Sequence, residues 1–239
     1  MTSPYQTPEA SREPTSLAQG QGRLDIGRAL SEGWALTKEH FWTALGVGVA
    51  FYFLVGLSIV LLVLPSLIVG PTLAWGVTRY GLDAYDGRGE FSTLFDGFSR
   101  IGDALKGLFL LGLISFAVAV PGEALQLVGE QADAPVIGLL GSLISIAVGL
   151  VSLRWVLGAF FAVEHNLNGY DALVASWRAT SGQWLTIFLF ALATFAVALL
   201  GLLCFVVGII PASIVIFFAY VSAYRQIAGG PAQPPTPSY

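Results

Sequence analysis

Long apolar runs alternate along this chain with shorter stretches of mixed polarity. The apolar runs cover about residues 41–64, a continuation to 84, then 107–128, 135–161, 183–207 and 211–227. A helix needs about 20 apolar residues to cross a hydrocarbon layer roughly 30 Å thick, so each run predicts a transmembrane helix. Pro65 and Gly70-Pro71 predict the break between the first two, and Asp86-Gly87-Arg88-Gly89 predicts a turn before the next unit.

The mixed stretches, 26–38, 92–105 and 171–181, place apolar residues at helical spacing. Ile26, Leu30, Trp34 and Phe41 line one, and Leu94, Phe98, Ile101 and Leu105 line the next. Asp25, Ser92 and Asp171 are the expected starts, the first two as N-caps. The three stretches are also copies of one another. Leu173, Ser176 and Trp177 recur as Leu30, Gly33 and Trp34, and again as Leu94, Gly97 and Phe98. Trp34, Phe98 and Trp177 are therefore expected at the interface, with Trp42 nearby, where amphipathic rings settle. The expected fold is an all-α membrane protein: six transmembrane helices as three hairpins, each preceded by a cytoplasmic-side amphipathic helix.

Small residues add a packing expectation. Gly138, Ser142, Ser145 and Gly149 fall on one face of the fourth run. Gly112, Ser115, Ala119 and Gly122 do the same in the third, and Ala191, Thr194, Ala198 and Gly201 in the fifth. Such stripes let helix backbones approach closely in lipid, within one bundle or between copies.

Composition agrees: 55% of the residues are apolar and 11% charged, against about a quarter charged in a soluble domain. Residues 1–22 and 229–239, rich in Pro, Ser, Thr, Gln and Gly, predict disordered tails around a membrane domain at 23–228. The first tail has no apolar core of the kind a cleavable signal peptide needs. The net charge of −4 hides a strong asymmetry. With both termini in the cytoplasm, all eleven basic residues fall on or near that side, while Glu123, Glu130 and Asp133 lie opposite. That is the positive-inside pattern.

Around DALVASWRATSGQW the chain resembles a broad bacterial family of six-helix membrane proteins. That family includes the membrane domain attached to some glycerophosphoryl diester phosphodiesterases. The resemblance rests on Ala172-Leu173 with Ser176-Trp177 and Thr180, on Ala29-Leu30 with Gly33-Trp34, and on Gly70-Pro71. It covers about residues 24–228 and implies a membrane domain of the bacterial inner membrane. It carries over no active-site residue, because no stretch outside the runs is long enough for the catalytic barrel.

The chemistry-bearing residues are sparse. Cys204 lies alone in an apolar run, and two histidines distant from it make no metal-binding pattern. Glu39-His40 and Glu164-His165 lack a nucleophile and a third partner, and both histidines are expected at the interface. No phosphate loop and no clustered nucleic-acid patch is present, and no cofactor is implied. Arg79, Arg154 and Arg225 sit near the inner ends of the second run of each unit. They are read either as interfacial anchors or as a convergent site for an anionic headgroup or phosphate. The functional expectation is a non-enzymatic protein that interacts with lipid, organises the membrane or is accessory to a membrane complex, with membrane lipids, a second copy or another membrane protein as partners. The alternatives are a permease-like component for a small or lipidic substrate and, behind it, a lipid-modifying enzyme.

Overall fold

The computed structural model describes residues 22–61, 63–203 and 205–229. Most of both tails, with Leu62 and Cys204, lies outside them. The described residues are helical, without a strand. Five helical stretches are long and apolar enough to cross a membrane: Ile26–Leu57, Ile101–Gln131, Pro135–His165, Trp184–Leu203 and Gly208–Ala228. The second expected span falls outside these five, although it too is helical, over Val63–Tyr85.

Helix α1 (Ile26–Leu61) runs through the first mixed stretch into the first apolar run and bends at His40, whose φ/ψ of −108°/17° is not helical. Asp25 caps its start, accepting from the Arg28 amide at 3.0 Å. Helix α2 (Val63–Tyr85) passes through both Pro65 and Pro71, so the expected break there does not occur. Pro65 lies in the first turn, where no N–H partner is lost, and Pro71 is accommodated farther in. The last helix likewise begins at Phe205, ahead of Pro211. Both helices thus gain length before their prolines.

The second mixed stretch departs furthest from expectation. In place of one amphipathic helix it forms a 3₁₀ turn (Phe91–Phe95), α3 (Asp96–Ser99), α4 (Ile101–Ala104) and a π turn (Leu105–Phe109). Ser92 does not cap it; its hydroxyl donates to the Glu90 carboxylate at 3.2 Å. The cause is close backbone packing. A Cβ on Gly97 would lie 1.9 Å from the Thr72 carbonyl oxygen, and one on Gly76 would lie 1.9 Å from that of Leu94. A regular helix cannot seat both contacts on α2, and the backbone breaks at Arg100 (φ −127°, ψ 39°).

Helices α5 (Leu110–Gln131) and α6 (Pro135–Ser152) follow, then a 3₁₀ turn (Leu153–Trp155) and α7 (Gly158–His165). Asn166 ends α7 in the left-handed conformation (φ 52°). The third mixed stretch is α8 (Gly169–Ala179), which starts two residues before the expected Asp171 because Asn168 caps it, accepting from the Asp171 amide at 3.0 Å. Helices α9 (Trp184–Leu203) and α10 (Phe205–Ala228) complete the chain.

The recurring small residue organises the packing. Gly33 lies against α10, where an added Cβ would come 2.8 Å from the Ala219 amide. Gly97 lies against α2, and the buried Ser176 donates its hydroxyl to the Arg154 carbonyl at 2.7 Å. Each mixed stretch therefore rests on the helical run that precedes it in the chain, and the first rests on the last. Three copies close into a ring. In each copy the neighbouring aromatic stays outside: Trp34, Phe98 and Trp177 are 54%, 40% and 37% exposed.

Helix pairs α1–α2, α5–α6 and α9–α10 each pack together, and α1 also packs along α10. The α5–α6 pair joins the rest mainly through α8 and the turns at Leu105–Phe109 and Leu153–Trp155. Its own seam uses Gly122, Gly129, Gly138, Gly141 and Ser145. Gly138 and Ser145 lie in the seam, Ser142 bonds back to the Gly138 carbonyl at 3.0 Å, and Gly149 and Gly112 face open space. The close contact belongs to the α5–α6 loop end of the pair. Gly141→Leu is therefore expected to cost about 3 kcal/mol by overpacking, while Gly149→Leu leaves unfolding in detergent unchanged. Equal effects of the two changes would refute this seam.

Candidate functional site

The ends of the three units meet. Asp86, just past α2, Glu164 at the end of α7 and Arg225 near the end of α10 form one charged junction. Arg225 Nη2 donates to Asp86 at 2.8 Å, and Nη1 donates to Glu164. The Arg225 side chain is 4% exposed, so this is a buried ion cluster holding three segments far apart in sequence. The Tyr224 hydroxyl donates to the other Glu164 oxygen, and its ring packs on Phe160 and Phe161. Arg88 extends the network to Asp86 (3.4 Å) and Asp83 (3.8 Å), and Arg79 donates to Asp83 at 3.2 Å.

A second knot ties α1 to the same end. Glu32 accepts from Arg28 (2.7 Å), from Tyr85 (3.1 Å) and from Ser222. The N-terminal entry is pinned beside it. The Leu24 amide donates to the Gln183 side chain at 3.0 Å, and the Asp25 amide to Gln226 at 2.8 Å.

Of the three arginines singled out from sequence, two come together. Arg79 and Arg225 line one small cavity of about 120 Å³ with Asp83, Asp86, Arg88 and Glu164. Arg154 stands elsewhere, its guanidinium 3.9 Å from the Trp177 ring centroid and bonded to the Ser181 hydroxyl at 2.9 Å. Arg225 is already matched by two carboxylates, so of the pair Arg79, which is 43% exposed, is the more available to an anion. The two histidines are mostly covered by protein. His40 is 15% exposed against Phe218, and His165 is 19% exposed and stacked on Phe161. Each lies 3.9 Å from its neighbouring glutamate, too far for a hydrogen bond.

The residues that sequence reasoning passed over are Glu164, Asp86 and Tyr224. Asp86 read only as part of a turn, and Glu164 only as half of a Glu-His pair. The available signal was their position: both carboxylates end a helical run, as Arg225 does in the last unit.

Two further cavities lie outside the junction. One, about 270 Å³, is lined by Trp75, Arg79, Asp96, Ser99, Arg100 and Val163. The other is an apolar groove of about 550 Å³ between the first mixed stretch and the α9–α10 pair. Leu30, Trp34, Val197, Leu200 and Val215 line it, and its base includes the Gly201–Ala212 contact. Compared with family models, curated proteins and solved structures, the chain matches none.

Proposed function

We propose that this is a non-enzymatic multi-pass protein of the bacterial inner membrane that binds and organises lipid in the cytoplasmic leaflet. The observation that carries the reading is the apolar groove beside Trp34. Its lining is almost wholly aliphatic and aromatic, it is open to the outside, and it begins at a residue expected at the headgroup level. An acyl chain is the occupant such a wall suits. The outward-facing Trp34, Phe98 and Trp177 around the ring fit three stretches lying along one leaflet, as amphipathic interfacial helices do.

Six crossings in three hairpins remain our reading of the topology. Helix α2 has 23 residues, and at about 1.5 Å per residue such a helix reaches roughly 34 Å, enough for the hydrocarbon layer. Its lower hydropathy has a physical reason. Leu73, Trp75, Tyr80 and Leu82 are buried against neighbouring helices, so this helix needs less lipid-facing apolar surface than the outer ones. The distribution of Lys and Arg supports termini in the cytoplasm. The sequence resemblance to the phosphodiesterase-linked membrane domains is compatible with this reading.

The test is photolabelling of the full chain in membranes with a phospholipid carrying a diazirine on its acyl chain. Leu30, Val197 and Leu200 are expected to label in excess of Leu113 and Leu127, which are 49% and 56% exposed on α5 but line no groove. Equal labelling would mean an ordinary lipid annulus and no lipid-binding groove.

A further inference from the structure

The 270 Å³ cavity has an unusual balance of unmatched charge. The Arg100 guanidinium has neither an ion-pair nor a hydrogen-bond partner among the described residues. Arg79 spends only Nε on Asp83, which leaves both its Nη groups unpaired among the described residues. Across the same cavity the Asp96 carboxylate is also without a partner, although two guanidinium groups share its surroundings. An unpaired guanidinium, a second with both Nη groups unspent and an unpaired carboxylate line one space, which sets it for a ligand carrying both signs of charge. The remaining wall, Trp75 and Val163, is apolar and buried.

The spacing of residues along this segment has the same consequence. Asp96, Ser99 and Arg100, spaced i, i+3 and i+4, line the cavity, while Phe95 and Phe98 are 45% and 40% exposed beside it. One short segment thus offers polar groups to the cavity and exposed aromatic rings beside it.

We infer that this cavity binds the headgroup of a zwitterionic phospholipid with a primary amine, of the phosphatidylethanolamine type. Arg79 and Arg100 take the phosphodiester, for which planar guanidinium forks are suited, and Asp96 takes the ammonium. A quaternary ammonium has no N–H to donate to Asp96, so phosphatidylcholine is the discriminated ligand. The inference rests on the lipid reading above but uses a different cavity, distinct from the groove at Trp34.

The experiment titrates the full chain in mild detergent with short-chain phosphatidylethanolamine, phosphatidylcholine and inorganic phosphate, reading bound ligand by native mass spectrometry. The parent is expected to hold phosphatidylethanolamine about tenfold more tightly than phosphatidylcholine, which is about 1.4 kcal/mol. Arg100→Gln should lose about tenfold for both lipids with an unchanged thermal midpoint, since no described residue pairs with the Arg100 side chain. Asp96→Asn should keep phosphatidylcholine binding and erase the preference. The proposal is overturned if Arg100→Gln binds as the parent does, if the parent does not discriminate, or if millimolar phosphate displaces the lipid. Photolabelling of Leu200 run alongside separates the two failures. Groove labelling that persists without headgroup selectivity removes this site alone, whereas loss of groove labelling removes the lipid reading itself.

Discussion

Arg225→Gln is expected to destabilise the protein by about 3–5 kcal/mol, the usual cost of leaving buried charges without their partner. Asp86 and Glu164 would face each other with no cation between them, in a junction where the Arg225 side chain is 4% exposed. Tyr224 would still bond to Glu164, and Arg88 would still reach Asp86 at 3.4 Å, so partial compensation sets the lower end of the range. An SDS unfolding titration of parent and variant measures the difference. The triple variant Arg225→Gln with Asp86→Asn and Glu164→Gln should recover much of the loss, because the uncompensated charge is gone. A triple variant no better than the single one would mean that Arg225 acts through packing and not as the counter-ion of this cluster. Because the three partners come from three separate units, the destabilisation should loosen the units from one another before it melts any single helix.

Gly97→Ala and Gly76→Ala should each cost about 3 kcal/mol or more, beyond what most overpacking changes do. In both cases the new Cβ would fall 1.9 Å from a backbone carbonyl oxygen, which cannot swing away as a side chain can. The segment 91–109 would have to lift from α2, which would also open the cavity between Trp75 and Arg100. Gly112→Ala is the matched control. It stands in a helix with nothing within 4 Å of its Cβ position, so it should stabilise by about 0.5–1 kcal/mol through helix propensity alone. If Gly97→Ala proves as mild as Gly112→Ala, the close approach of the two backbones is wrong.

Much of this molecule was legible in the order of its residues. Apolar runs of some twenty residues specify membrane-length helices because backbone polar groups in lipid have to be satisfied within the helix itself. Five of the six expected runs meet that criterion directly. The Leu-x-x-small-aromatic repeat was visible too, and its geometry follows from it. The small residue lies where backbones touch, at Gly33, Gly97 and Ser176, and the aromatic next to it points away. Asp25 as the first cap was readable from local chemistry alone.

What the sequence could not decide depends on residues distant along the chain. Whether Ser92 starts a regular helix was settled by Thr72 and Leu94, whose carbonyls meet Gly97 and Gly76 and force the segment into short turns. Whether Gly149 lies in a helix seam depended on where α5 diverges from α6, and a small-residue stripe does not encode that. The arginines show the limit most clearly. By position Arg79, Arg154 and Arg225 look equivalent, yet only the folded chain brings Asp86 and Glu164 to Arg225 and sets Arg154 over Trp177, leaving Arg79 with unspent donors. Periodicity fixes which residues can share a helix face. Which charges end up neutralised is decided by contacts across 61 and 139 positions of sequence, and those exist only in the tertiary structure.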